Sequence, residues 1–276
     1  MVVGKLDGKV AFITGVARGQ GRSHAVHLAR EGCDIIGVDL CDQIASVRYP
    51  MATKDDLDET VRLVRAEGRQ IVASTCDVRD AEALTAAVRQ GAEQLGRLDI
   101  VLANAGIMPI LGLEGKTPEA FRDAIEVMLI GVYNTGRATL PILLEQGSGG
   151  SVVITSSTAG LKTPVMGSLS DGLLGYFAAK HGVVGIMRAW ANAYGKYNIR
   201  VNSIHPTGVA TPMIMNEAFA QFAQDEPEAI GGMQNLLPVP HVQPSDVSNA
   251  VIWLCSEEGR YVHGVTLPVD AGLNAR

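Results

Sequence analysis

Tyr176 and Lys180 stand four residues apart in a stretch with helical spacing, so their side chains share one face. A free phenol titrates near ~10. An ammonium beside it stabilises the phenolate and lowers that value, giving an acid/base group usable near neutral pH. Upstream, the apolar run Val152–Ile154 ends in Thr155-Ser156-Ser157. A serine hydroxyl at such a strand end can bind a substrate oxygen and share its developing charge. Tyr-x-x-x-Lys and strand-end serines are each common, so the chemistry follows only if other motifs bring a reactive partner beside them.

That partner is announced near the N-terminus. Val10–Ile13 reads as a short apolar strand, followed by a loop carrying Gly15, Ala17, Arg18, Gly19, Gln20 and Gly21. Arg22 to Arg30 then places Ala25, Leu28 and Ala29 at helical spacing. Strand, glycine loop and helix N-terminus make a dinucleotide-phosphate cradle, because the glycines allow a tight turn and the helix start presents free N–H groups. The spacing is G-x-x-x-G-x-G. The second strand, Ile35–Val38, ends at Asp39 and Leu40. A carboxylate there accepts from the adenosine ribose hydroxyls and repels a 2′-phosphate, which favours NAD over NADP. Arg18 is the opposing signal, since it could pair with that phosphate; Asp39 weighs more, because a carboxylate beside a phosphate is costly.

These groups need elements to position them. Lys54–Glu67 reads as a helix, and Ile71–Ser74 as the third strand. Beyond it, Asp77 can accept from an adenine amino group with Val78 against the ring. Asp80 caps a helix carrying Leu84, Val88 and Leu95. Leu98–Leu102, the fourth strand, leads into Asn104-Ala105-Gly106, where glycine lets backbone lie close to a ligand. Thr117 and Pro118 open a helix whose predicted buried stripe is Phe121, Ile125, Leu129 and Val132. Val152–Ile154 is the fifth strand, Tyr176–Tyr194 mostly helix, Val201–Ile204 the sixth strand, and Val265–Val269 the last, after a helix starting at Ser245. Cys41–Thr53 is long for a strand-to-helix connection; it is either a flap over the adenosine end or a tolerated surface insertion. Pro206–Pro240, rich in Met, Pro and Gly, suits a mobile cover over a pocket.

The alternation predicts an α/β protein: a single Rossmann-type doubly wound domain over residues 1–276, with a parallel seven-stranded sheet, helices on both faces and a substrate cover at about 207–240. Ligands then bind at the carboxyl ends of the strands. The chain has 276 residues, 47% of them hydrophobic, and a net charge of -6. That charge argues against nucleic acid or an anionic membrane as partner. Four cysteines, Cys33, Cys41, Cys76 and Cys255, lack metal-ligand spacing and read as free thiols in a reducing compartment. No metal is expected. Met1–Gly8 lacks a signal segment, and no apolar run reads as a membrane span, so the expected location is the cytoplasm.

The joint pattern resembles the short-chain dehydrogenase/reductase family from Gly8 to Gly272. Thr14-Gly15-x3-Gly19-x-Gly21 is similar to its cofactor loop, and Asn104-Ala105-Gly106 to its motif after the fourth strand. Ser157, three before Gly160, matches the catalytic serine in preference to Ser156; Tyr176 and Lys180 match the active-site pair. His205-Pro206-Thr207-Gly208-Val209-x-Thr211 resembles the segment that holds the nicotinamide carboxamide, with Thr211 as donor. The resemblance implies NAD as cofactor, with Pro206, Gly208 and Val209 among the binding residues, and Lys180 hydrogen-bonding the nicotinamide ribose. It also implies a homotetramer assembled through helices 117–144 and 176–194. Two departures stand out. Met128 occupies the position of the family's usual Asn, which puts its water relay in doubt, and Asn134, two turns on, is no obvious substitute. Ser157 and Tyr176 are 19 residues apart, a long gap for the family; the extra residues, around 164–175, are expected to shape the substrate entrance.

A finer resemblance is to the actinobacterial, mycofactocin-coupled branch that includes carveol dehydrogenases. It rests on Gly19-Gln20-Gly21-Arg22-Ser23-His24, the long loop after Asp39, and His205-Pro206-Thr207-Gly208. The implied reaction is oxidation of a secondary alcohol to a ketone, with cofactor retained behind 41–53 and reoxidised by a separate redox partner. Met166, Leu169, Met213, Met215 and Phe219 are expected to border an apolar pocket. The rival readings are a 3-oxoacyl thioester reductase, a non-catalytic NAD-binding sensor, and a module whose apolar helices serve only oligomerisation.

Overall fold

The computed structural model describes residues 4–163 and 169–275. Strands β1 (Val10–Thr14), β2 (Asp34–Asp39), β3 (Ile71–Thr75), β4 (Ile100–Ala103), β5 (Gly150–Thr155), β6 (Ile199–Pro206) and β7 (Thr266–Val269) form one sheet in the order β3-β2-β1-β4-β5-β6-β7. Every pairing is parallel. The order reverses between β1 and β4, which opens a crevice beyond their carboxyl ends.

The connections are helices α1 (Gly19–Arg30), α2 (Lys54–Ala66), α3 (Ala81–Leu95), α4 (Pro118–Ile125), α5 (Gly131–Gln146), α6 (Asp171–Tyr194), α7 (Glu217–Asp225), α8 (Pro227–Gly232) and α9 (Pro244–Cys255). Their starts follow local chemistry: the Thr53 hydroxyl caps α2 in a capping box with Asp56, and the Asp80 carboxylate accepts from Glu82 and Ala83 N–H. One sheet face is buried under α1 and α9 by Ala25, Leu28, Val247 and Leu254. The other is buried under α3, α5 and α6 by Leu84, Val88, Leu143 and Met187. Such double burial explains why the strands are nearly all apolar instead of alternating. A third apolar cluster, with Ile44, Val47, Tyr49, Ile107, Met108 and Phe177, sits at the strands' carboxyl end, around the crevice.

Three expectations are corrected. The helix carrying Tyr176 begins at Asp171, capped by the Ser170 hydroxyl, five residues earlier than its apolar pattern predicts. Between α4 and α5, Glu126–Ile130 is a π turn. Of the predicted stripe Val132 is buried, but Phe121, Ile125 and Leu129 are only half-buried, and Ala120, Ala124, Val127 and Met128 take the buried positions. The segment expected to cover the pocket contains α7 and α8. Pro118–Gln146 is long and apolar enough to cross a membrane by length and composition, contrary to expectation, but 61% of its most apolar window is buried inside the fold, as in a core helix.

Candidate active site

At the exit of β1 the chain turns through Gly15 (φ +69°) and Gly19 (φ +56°), both left-handed. A Cβ on Gly21 would lie 1.9 Å from the Gly15 carbonyl oxygen, so α1 starts directly against the loop. Arg18, at the N-cap of α1, gives its side chain to no first-turn N–H. Those N–H groups and the helix dipole are therefore directed toward an anion. The Thr14 hydroxyl accepts from the Asn104 and Ala105 N–H groups, at 3.0 Å each, and the Asn104 amide donates to the Thr14 carbonyl at 3.0 Å. Asn104 thus ties the glycine loop to the exit of β4.

Asp39 closes the adenosine side. Its carboxylate accepts from Ala17 N–H at 2.9 Å and Cys41 N–H at 3.3 Å, while burial pushes its pKa up. Ala17 was expected among the cofactor contacts; it is buried and does not line the crevice, and its N–H instead aims Asp39. Leu40, Asp77 and Val78 line the same end. Asp77 is held by Arg79 through the backbone N–H at 2.9 Å and Nε at 2.8 Å. The Asn134 amide donates to the Val78 carbonyl at 2.9 Å, so Asn134 fixes the adenine edge and takes no part in the centre.

The 41–53 segment is built into the site and is not a surface insertion. Arg18 donates its guanidinium to the Pro50 carbonyl. The buried Tyr49 hydroxyl accepts from Met108 N–H at 3.2 Å, and the Ser46 hydroxyl donates to Asp123 at 2.6 Å. Ile44, Tyr49, Met51 and Ala52 form a wall of the crevice. Tying Arg18 to Pro50 also engages the group that might have paired with a 2′-phosphate. Gly15, Arg18, Gly19, Gln20, Gly21, Asp39, Asn104, Ala105, Gly106, Tyr176, Lys180 and Thr211 all line this crevice. Its glycine turns, uncapped helix start and acidic end fit a dinucleotide with a free 2′-hydroxyl.

Beyond the nicotinamide end, the crevice shares Gln20, Ser156, Tyr176, Thr211 and Met213 with a second cavity of about 690 Å³. Ser157, Pro206, Gly208 and Val209 line that cavity. Its other walls are mainly apolar, with Met108, Ile110, Leu173, Phe177, Phe219 and Phe222. Met213 and Phe219 therefore stand where expected. Leu169 and Met215 do not, being 58% and 60% exposed, and Met166 lies outside the described residues.

Three side chains converge on the shared wall. Ser157 lies beside the Tyr176 phenol and pulls its pKa down, but burial pushes it up more strongly. The Ser157 hydroxyl also accepts from Ala159 N–H at 3.1 Å. Ser156 is engaged elsewhere, donating to the Lys180 carbonyl at 2.8 Å. Lys180 Nζ donates to the Thr155 carbonyl at 3.0 Å and lies 5.7 Å from the Tyr176 ring centre. Burial lowers its pKa to about 8, so it is still largely an ammonium at pH 7. Lys180 Nζ is turned to the Thr155 carbonyl, and the Tyr176 phenol is governed by desolvation, with Ser157 opposing it. Met128 is buried beside this group; a Cβ on Gly106 would lie 3.7 Å from both Met128 Cγ and Lys180 Nζ.

Sequence reasoning offered 41–53 as a flap without assigning Ile44, Tyr49 or Met51 to the crevice wall, and it missed the cavity walls Leu173 and Phe177. Ile44, Val47 and Tyr49, apolar side chains inside a long loop, were the available signal.

The family model described as enoyl-(acyl carrier protein) reductase matches residues 15–274. An uncharacterised oxidoreductase of Mycobacterium tuberculosis is 56% identical over 276 residues, covering 99% of this chain and 98% of that protein. A (-)-trans-carveol dehydrogenase of Rhodococcus erythropolis is 45% identical over 277 residues, covering 97% and 98%. The crystal structure of carveol dehydrogenase from Mycobacterium avium in complex with NAD superposes with a TM-score of 0.90 at 48% identity, covering 99% of this chain and 100% of that one. With its parallel sheet, glycine-loop crevice and these relatives, the chain belongs to the short-chain dehydrogenase/reductase family, as an NAD-dependent oxidoreductase.

Proposed function

We propose that this protein interconverts an apolar secondary alcohol and its ketone, with Ser157, Tyr176 and Lys180 as the catalytic group. The observation that carries this reading is the position of Tyr176, on the wall common to the cofactor crevice and the apolar cavity. Bound NAD supplies the hydride acceptor, held at its pyrophosphate by the Gly15–Gly21 loop, at its ribose by Asp39, and at its nicotinamide end by the Pro206–Thr211 segment. Ser157 holds the substrate oxygen. Tyr176 takes the hydroxyl proton during oxidation and returns it during reduction. Lys180, its Nζ anchored on the Thr155 carbonyl, offers its remaining N–H groups to the nicotinamide ribose.

The cavity volume lies within the range of small-molecule sites, and its mainly apolar wall favours a terpenoid-like substrate, as the printed names of the carveol dehydrogenases also suggest. The anchored 41–53 flap supports a cofactor that stays bound through turnover and is reoxidised by a separate redox partner. Half-exposed Ile130 and Tyr133 on the π turn and α5, and Leu174 on α6, support homotetramer assembly through those helices. The thioester-reductase alternative is less well served, because Lys162 is the one lysine or arginine among the described residues lining the cavity. To test the reading, the purified protein is denatured and released NAD(H) is quantified. Native protein is then given a panel of terpenoid and simple secondary alcohols with an artificial electron acceptor. Stoichiometric NAD(H) and turnover of cyclic apolar alcohols are expected; bound NAD without turnover of any alcohol would favour the sensor.

A further inference from the structure

We propose that His205 is a positioning residue: it clamps the Ser157 backbone to the nicotinamide-binding segment and thereby holds the Ser157 hydroxyl on Tyr176. This rests on the dehydrogenase reading above. His205 is fully buried near the end of β6. Its Nδ1 lies 2.7 Å from the Ser157 carbonyl oxygen, and its Nε2 lies 2.8 Å from the Ser203 hydroxyl. A carbonyl oxygen has no proton to give, so Nδ1 carries the hydrogen and donates. Burial disfavours the imidazolium and lowers the pKa to about 4, so Nε2 is an acceptor and Ser203 donates to it. One neutral tautomer satisfies both contacts.

The location gives this bond its consequence. The ladder between β5 and β6 ends at Thr155 and Ile204, with a last bond from Ser156 N–H to the Ile204 carbonyl. Past that point the two exits diverge, one into the Ser157 turn and the other into Pro206-Thr207-Gly208. The imidazole bridges the gap where the backbones no longer pair. The Ser157 carbonyl also accepts from Gly160 N–H at 2.9 Å, so its acceptor sites are filled and the peptide cannot swing. On the peptide so held, the Ser157 hydroxyl accepts from Ala159 N–H at 3.1 Å and lies near enough to Tyr176 to lower its pKa.

Three variants and two readouts test this. His205→Phe keeps a ring but removes both bonds, His205→Asn retains a donor near the Nδ1 position, and Ser203→Ala leaves the Ser157 bond in place. The first readout needs no substrate. Histidine 15N NMR of the wild type at pH 7 should show His205 neutral with its proton on Nδ1. Tyrosine 13C NMR, with Tyr176→Phe for assignment, should show the Tyr176 pKa raised in His205→Phe and close to wild type in Ser203→Ala. The second readout is turnover of the best alcohol in the panel. A misplaced reacting group is expected to lower kcat about ten- to a hundredfold in His205→Phe. KM and the NAD content should stay within about threefold, a range smaller than the loss of one hydrogen bond to a charged group would give. His205→Asn should recover part of kcat. If His205→Phe fails to fold, His205→Asn and Ser203→Ala carry the comparison, with Ser203→Ala expected to be the milder. An Nε2–H tautomer, an imidazolium at pH 7, or a Tyr176 pKa indifferent to His205 would overturn the proposal whatever the protein's activity. Absence of alcohol turnover with the NMR results as expected would instead overturn the dehydrogenase reading and leave the clamp on Ser157 standing.

Discussion

Lys180 Nζ lies 5.7 Å from the centre of the Tyr176 ring and gives its short contact to the Thr155 carbonyl. The phenol is therefore governed by burial, which raises its pKa, and by Ser157, which lowers it. A raised phenol pKa has a defined sign for catalysis. Oxidation needs the phenolate, so its rate should climb as pH rises toward that pKa; reduction needs the phenol and should fall through the same value. Removing the lowering partner in Ser157→Ala should move both limbs to higher pH. Profiles of kcat/KM in the two directions check this, and limbs that stay in place would remove Ser157 from the phenol.

On the proposed reading, Asp39 selects NAD over NADP. Its carboxylate is fixed by two backbone N–H groups, at 2.9 Å from Ala17 and 3.3 Å from Cys41. Hydrogen bonds to a charged group contribute about 1.5–3 kcal/mol, roughly a ten- to hundredfold change in affinity. Asp39→Ser should weaken NAD binding by about that factor and narrow the preference over NADP. Titration of the apoprotein with each dinucleotide measures both, and an unchanged NAD/NADP ratio would count against this role.

The flap is held at separated points, among them Ser46 to Asp123 at 2.6 Å and Tyr49 to Met108 at 3.2 Å. Cutting both in a Ser46→Ala/Tyr49→Phe double variant should speed cofactor release by about thirtyfold, since each bond contributes about 1 kcal/mol. The exchange rate of bound NAD against a labelled pool is the measurement. Release at the wild-type rate would assign retention to the glycine loop instead.

Two buried histidines predict acid sensitivity. His24 is held down to about 3 and His205 to about 4, both by burial. Their unfolded pKa is near ~6.5. Between that value and their folded pKa the unfolded chain binds more protons, so stability is complete above about pH 6.5 and falls as pH drops. The expected slope is about 1.4 kcal/mol per pH unit for each histidine once the unfolded groups are protonated. Urea midpoints between pH 7 and pH 5 should fall less steeply for His24→Asn. A parallel dependence in the variant would mean that other groups carry the acid limb.

The fold was largely legible because parallel strands buried on both faces are short apolar runs bounded by glycine and polar turns. Predicted strand bounds all fall within two residues at either end, and β6 is short by two at both ends because Arg200 and His205-Pro206 do not look apolar. Glycines obscured the start of α6. Gly172 and Gly175 weaken the helical pattern, yet a Cβ at Gly172 would strike the Pro109 carbonyl oxygen at 1.7 Å, so they are there for close packing. The stripe of α4 was misplaced by one residue, because the small Ala120 and Ala124 face inward where the bulkier Phe121 and Ile125 look like core positions. Motif residues at strand exits could be placed in the site because their chemistry is local. The Arg18–Pro50 and His205–Ser157 contacts could not, since each joins segments far apart in sequence.

The most direct test is Tyr176→Phe, which deletes one oxygen from the wall between the crevice and the cavity. Native and variant protein are compared for bound NAD(H) and for nicotinamide reduction by a cyclic apolar alcohol that the wild type oxidises. The variant should hold the same amount of cofactor while its rate falls by about 10²- to 10⁴-fold, the contribution of a positioned acid/base group. A variant that oxidises the alcohol at close to the wild-type rate would contradict a proton transfer through Tyr176.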